Sequence, residues 1–353
     1  MPRSALSRQP TANPSNRFEK IIYDSSAEFA QPSAEDEPPR PPTEFYRDPC
    51  RRALAWNESP DLPFHASLNP YRGCMHACAY CYARPSHEYL GFSAGLDFET
   101  KILVKEDLPA VLRAELSAPR WEPQVVAIGG VTDPYQPIER RTRLTRRCLE
   151  VFLELRNPVT LVTKSTLVRR DLDLLVEFAR LDLAQIYVSI TTLDRELQRG
   201  LEPLAAAPSQ RIAAIETLAG AAIPVGVLVA PVIPALTDHE APAIVEAAAR
   251  AGARSARHVM LKLPHAVKQL FETWLERHHP GRRAKVMNRV RAMRGGRLND
   301  PRFHLRQQGM GLFADQTRTL FAVACRRAGL AQEMPPLSTA HFRYPGGEQL
   351  PLL

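Results

Sequence analysis

The 353-residue sequence contains no stretch approaching the roughly 18 consecutive apolar residues of a membrane-spanning helix, so no membrane span is expected. Its opening residues, MPRSALSRQPTANPSNRF, lack the apolar segment of a secretory signal. Both absences predict a cytoplasmic protein, and in that compartment thiols stay reduced. Cysteine is scarce too: six in a chain of this length are too few to build a disulfide scaffold. Hydrophobic residues at 44% and charged residues at 24% are the balance of an ordinary globular protein. The length suffices for one large core or two modest ones.

Residues 1 to about 50 hold many of the prolines, among them Pro38, Pro39, Pro41 and Pro42, and few periodic apolar positions. Such a segment buries too little surface to offset its ordering entropy, which predicts a disordered arm over 1–50. Beyond Arg51 short β-rich runs alternate with amphipathic stretches. Strands are expected at 65–69, 124–129, 159–164, 185–190, 224–230 and 258–263. Helices are expected at 108–117, 143–156, 167–181, 210–221 and 239–251. Runs such as PVGVLVA and QIYVSI are almost continuously apolar, as parallel strands covered on both faces are. The alternation predicts an α/β fold of right-handed βαβ units. About six units fit over 51–264, favouring a partial (β/α)6 barrel over a full eight-stranded one, with a doubly wound sheet as the competing topology. From His265 onward nothing reads as another βα unit, so 265–353 is expected to be a basic C-terminal cap and tail.

The chemistry concentrates in NPYRGCMHACAYCYARPSHEYLG, from Asn69 to Gly91, directly after the first expected strand. A barrel places its catalytic loop there. Cys74, Cys78 and Cys81 stand at C-x-x-x-C-x-x-C spacing, with Gly73 and Ala77 keeping the loop compact. Three thiolates for four irons leave one iron open to a substrate or cofactor. A structural zinc site is the alternative, with His76 or His87 as its fourth ligand. A redox disulfide pair would leave the third cysteine without a role.

The C-x-x-x-C-x-Tyr-C signature resembles that of the radical S-adenosylmethionine superfamily. The flanking NPYRGC, ARPSHEYLG and GLDFETKI stretches resemble a bacterial branch related to spore photoproduct lyase, and the likeness runs from about Arg51 to about Phe321. The resemblance implies a [4Fe–4S] cluster on Cys74, Cys78 and Cys81, its open iron chelated by the amine and carboxylate of S-adenosylmethionine. It puts Tyr80 near the adenine and Gly129–Gly130 beside the cofactor's amino group. Thr132 and Asp133 follow as hydrogen-bond acceptors there. Lys164 is placed to meet the carboxylate, and Ser189 and Thr191 to hold the ribose, while 229–231 and 261–263 would wall the adenine. Tyr82 matches a lyase tyrosine in a hydrogen-transfer relay. One position departs: Val131 stands where the lyase has the cysteine that returns a hydrogen atom, so the likeness does not extend to the lyase reaction.

The activity implied is reductive cleavage of S-adenosylmethionine, the resulting 5′-deoxyadenosyl radical then taking hydrogen from a substrate at the barrel mouth. It needs a one-electron donor such as a flavodoxin or ferredoxin. Between Arg277 and Arg306 stand ten Lys/Arg against the single acid Asp300, a local +9 in a chain of net charge +8. That segment reads either as a solvated helix face or as a phosphate-binding patch, and it makes a nucleic acid the leading substrate class. The rival from another class is a non-catalytic nucleic-acid-binding module whose cysteines hold zinc or an inert cluster.

Overall fold

The computed structural model describes residues 13–18 and 41–344. Ten strands form: β1 (Glu44–Arg47), β2 (Leu54–Trp56), β3 (Ala66–Leu68), β4 (Tyr71–Arg72), β5 (Lys101–Val104), β6 (Val126–Ile128), β7 (Val159–Thr163), β8 (Ala184–Ser189), β9 (Val225–Val232) and β10 (Ser255–Met260). The six strands expected from the apolar runs are β3 and β6 to β10. They are mutually parallel, in the order β10-β9-β8-β7-β6-β3, with β2 antiparallel at the edge. The order never reverses, so right-handed crossovers place every connecting helix on the same face and the other face curls inward. A doubly wound sheet would reverse at a switch point. The fold is therefore a partial α/β barrel.

The outer layer comprises helices Leu108–Leu116, Leu144–Glu154, Leu172–Arg180, Pro208–Gly220 and Ala241–Arg250. Leu161, Ile186, Val188 and Val227 lie fully buried where strands and helices meet. A sixth outer helix, Leu312–Ala328, falls in the stretch expected to be cap. It packs instead on Ala241–Arg250 and β10. Its Ala314, Phe321, Ala324 and Cys325 enter the main core, because apolar burial on one face decides where a mixed-charge helix docks. Cap and barrel are thus not divided at 264; the cap is an insertion ahead of this helix.

The expected arm over 1–50 is also revised. β1 pairs in parallel with β5, in a small sheet of order β1-β5-β4 beside the cysteine loop. Asn16 is buried, donating its side-chain amide to Glu88 O at 2.9 Å and Phe92 O at 3.0 Å, and Arg17 pairs with Glu88 at 2.6 Å. Backbone and polar contacts, rather than apolar burial, order these pieces. The rest of that stretch, 1–12 and 19–40, lies outside the described residues, as does 345–353 of the expected tail.

Two helices of the insertion, Val267–His278 and Pro280–Ala292, cover the barrel mouth. Phe271, Trp274, Val286 and Met287 form a second core with Cys78, Ala79, Tyr80 and Leu201. The stretch after them joins the two edges of the open sheet. Arg306 grips Asp61 in the β2–β3 connection, with Nε at 2.7 Å, while Gln307 accepts from Lys262 just past β10 at 3.1 Å.

Candidate active site

The loop after β3 carries the three cysteines, and its shape is enforced from several sides. Gly73 has φ +78°, and a Cβ there would meet Phe98 O and His87 Cε1 at 2.9 Å, so the site requires glycine. Cys74 N donates to Phe98 O at 2.9 Å and Ala79 N to Leu201 O at 2.9 Å. Gln136, fully buried, donates to Gly73 O at 3.1 Å and accepts from Met75 N at 2.9 Å. Arg84, also fully buried, donates to Cys78 O at 2.8 Å and Gly95 O at 2.9 Å and pairs with Glu99.

Cys74 and Cys78 are buried, Cys81 is half-buried, and none forms a disulfide. Burial pushes the Cys74 thiol up to about 12, Cys78 well above its ordinary range, and Cys81 upward as well. Cys81 packs against the clusters that hold Cys74 and Cys78. Three thiols carried by one loop without a disulfide fit a metal group, which supplies the positive charge their thiolates need. A mononuclear zinc would need a fourth ligand beside the three thiols, whereas a cubane leaves one iron open. Each candidate fourth ligand has one ring nitrogen engaged. His76 Nδ1 lies 3.3 Å from Asp133, and His87 Nε2 lies 2.8 Å from Lys101 O.

The glycine pair after β6 divides its labour. Gly129 has φ +93°, and a Cβ there would fall 2.4 Å from Val162 O on β7; Gly130 faces open space. A side chain is therefore excluded at Gly129, which serves the turn, while Gly130 has room beside it. Thr132 is buried and donates to Tyr71 O at 3.2 Å. Asp133 accepts from Thr163 Oγ1 at 2.7 Å, Lys164 N at 2.7 Å and Tyr135 N at 2.9 Å, besides His76. Burial alone would raise its pKa, but His76 and these donors hold it below the usual carboxylate range. Both side chains, expected to accept from the cofactor, make these bonds within the protein and brace the loop.

Lys164 follows β7 and reaches across the strand ends, donating to Ser189 Oγ at 2.7 Å and Ala230 O at 3.0 Å, with Glu202 at 3.6 Å. Thr191 donates to Ala230 O at 2.8 Å, and Tyr80 OH lies 3.0 Å from Thr191 Oγ1 and donates to Glu202. Val229, in the expected adenine wall, is buried in the main core. The geometry thus gathers Tyr80, Lys164, Ser189 and Thr191 at the C-terminal ends of β7 to β9. Glu202 and Arg211, both buried and paired, complete the network and escaped the sequence reading. Charged residues in a helix-rich stretch read as exposed, and only the pair's spacing across LEPLAAAPSQR hinted otherwise. Burial opposes ionisation of Glu202, yet Arg211 and Lys164 hold it down at about 2. Tyr82, half-exposed, donates to Gly130 O, and Val131 beside it is exposed at the mouth.

The family model of the Radical SAM superfamily matches residues 68–248, and the chain belongs to that superfamily. It is an enzyme, and the superfamily's [4Fe–4S] cluster and S-adenosylmethionine are its cofactors. An uncharacterized protein of Mycobacterium tuberculosis is 40% identical over 241 residues, covering 67% of this chain and 70% of its own. An uncharacterized protein of Methanocaldococcus jannaschii is 31% identical over 173 residues, 49% of this chain and 62% of that one. Among solved structures, spore photoproduct lyase complexed with dinucleoside spore photoproduct superposes with a TM-score of 0.50 at 20% identity, over 67% of this chain and 66% of the lyase. A tyrosine-to-phenylalanine mutant of the same lyase gives 0.54 at 18% identity, over 80% and 79%. At such identity the likeness establishes the shared fold.

Proposed function

We propose that this enzyme takes a hydrogen atom from a substrate held at the barrel mouth, with Cys74, Cys78 and Cys81 as the cluster ligands. When bound, the cluster and S-adenosylmethionine supply one-electron cleavage of the sulfonium, which yields a carbon radical able to attack an unactivated C–H bond. The rest falls to the chain. Gly130 leaves room for the cofactor's amino group. Lys164, anchored by Ser189 and Ala230 O, offers its ammonium to the carboxylate. Tyr80, Ser189 and Thr191 line the adenosine side, while Gly129, Thr132 and Asp133 position the loop. The lid core over the mouth keeps water from the reacting centre. Tyr82 stands on the substrate side, bonded to Gly130 O. A cytoplasmic flavodoxin or ferredoxin would supply the electron.

The observation that carries this reading is the convergence of three buried thiols from one loop on the strand ends that hold Gly130 and Lys164. A nucleic acid remains the leading substrate class, on the basic helix of the lid. The reaction is a different one from the lyase's, because Val131 brings no thiol to the mouth, and Cys148 and Cys325 are buried in the main core. Iron analysis of protein made without oxygen tests the ligand set. About four irons per chain are expected. Changing Cys74, Cys78 or Cys81 to Ala should remove most of them, whereas alanine at Cys50, Cys148 or Cys325 should not. Stoichiometric zinc in place of iron would favour the inert module.

A further inference from the structure

Lys262 lies two residues past β10, between Leu261 and Leu263, both buried in the lid core. Its Nζ sits 4.3 Å from the centroid of the Tyr82 ring and donates to Gln307 Oε1 at 3.1 Å. Among the described residues no carboxylate lies within ion-pair distance of it. Its charged neighbours are Arg294, Arg306 and Asp61. Arg294 is spent on the carbonyls of Leu261 and Leu305, and Asp61 is gripped by Arg306, with Nε at 2.7 Å. Asp61 is thus the one acid acting on Lys262, and Arg306 already holds it. Lys164 is different, since it has Glu202 at 3.6 Å. Burial, reinforced by Arg306 and Arg294, lowers the Lys262 pKa to about 8. A desolvated ammonium without a counter-ion is costly to keep, and an anion arriving from outside removes the cost.

Tyr82, whose ring lies against this cation, is 47% exposed, and Phe303, with Arg306 over its ring at 4.9 Å, is 50% exposed. A carboxylate brings one negative charge, whereas a phosphate ester brings up to two and three acceptor oxygens, matching a lysine, an arginine and an amide side by side. We propose that Lys262, with Arg306 and Gln307, binds a phosphate ester of the substrate at the barrel mouth and so determines specificity. This rests on the reading above and names the chemistry of its substrate. Tyr82 links the two halves of the site, its hydroxyl on Gly130 O and its ring beneath Lys262.

The test is equilibrium binding to cluster-loaded protein with S-adenosylmethionine present and no reductant. The probes are thymidine 5′-monophosphate, a short single-stranded oligodeoxynucleotide, and thymidine without phosphate. Lys262→Gln should weaken at least one phosphate probe about tenfold or more, and Lys262→Arg should hold it within about threefold. Thymidine should bind both variants and the parent alike, and iron content shows that the variants fold. Preference for the mononucleotide identifies a monoester, and preference for the oligonucleotide a strand phosphodiester; either supports the site. Phosphate probes that bind the parent no better than thymidine, or bind Lys262→Gln undiminished, overturn it. Because no reductant is present, a protein that binds phosphate through Lys262 yet never cleaves the cofactor overturns the proposed function and leaves this site standing.

Discussion

Gly129 and Gly130 are adjacent and chemically identical, yet they do different things. The first is fixed by a left-handed backbone and by Val162 O, and the second has open space before it. Gly129→Ala should therefore destabilise the protein by about 2 kcal/mol or more, read from chemical unfolding. Gly130→Ala should leave stability nearly unchanged and weaken S-adenosylmethionine binding about tenfold, read by equilibrium dialysis. Equal loss of stability in both variants would contradict this division. The sequence offered the glycine pair, but only the neighbouring strand shows which member has room beside it. Asp133 teaches the same lesson, because its spacing says nothing of the donors that claim its oxygens. His258, tilted against Phe321 with ring centroids 4.4 Å apart, is held neutral by burial, which lowers its pKa to about 4. The unfolded chain takes up that proton near 6.5, so the contribution is complete above 6.5 and is lost as pH falls toward 4. Stability should drop by about 1 kcal/mol between pH 7 and 5.5, and His258→Leu should flatten that slope.

At the scale of elements, legibility followed burial. Strands such as β7 and β9 were visible because both faces are covered and their sequences are largely apolar, whereas β10, SARHVM, begins three residues ahead of the expected 258–263. β1 was invisible for the opposite reason: all four of its residues are exposed, and ladder bonds to β5 with surface contacts such as Tyr46–Phe92 and Arg47–Asp107 hold it. Helix Leu312–Ala328 was missed because a long insertion separates it from the strand it covers. The basic segment changes meaning once its pairs are seen. Arg283 bonds Glu272 and Glu276, Arg289 bonds Asp238, Arg302 bonds Asp300, Arg306 bonds Asp61, and Arg294 is buried. Arg277, Arg282, Lys285 and Arg297 are exposed and make no ion pair among the described residues. If those four meet phosphates, log affinity against log salt should fall with a slope of about −3 to −4. Arg282→Glu with Lys285→Glu should flatten the slope by about 2 and weaken all sequences alike. Filter binding of DNA and RNA at several salt concentrations checks this; weak, flat binding to both would return the helix to a purely structural role.

In the whole molecule, a sheet that does not close leaves one end for cofactor chemistry, and an insertion from its last crossover covers that end. No helix among the described residues is long and apolar enough to cross a membrane. The thiols, Gly130, Lys164 and the Glu202–Arg211 pair come from four separate connections, and one layer of strand ends brings them together. That convergence is why the cysteine loop could be read from sequence while its partners could only be listed as strand-end residues. The central claim is that this convergence performs radical chemistry on S-adenosylmethionine. The most direct measurement is chromatography of the products formed when iron-loaded, oxygen-free protein is given the cofactor and dithionite. The account predicts 5′-deoxyadenosine and methionine in equal amounts, slowly even without substrate, and much reduced in Lys164→Ala. Protein carrying about four irons that forms no 5′-deoxyadenosine would contradict it.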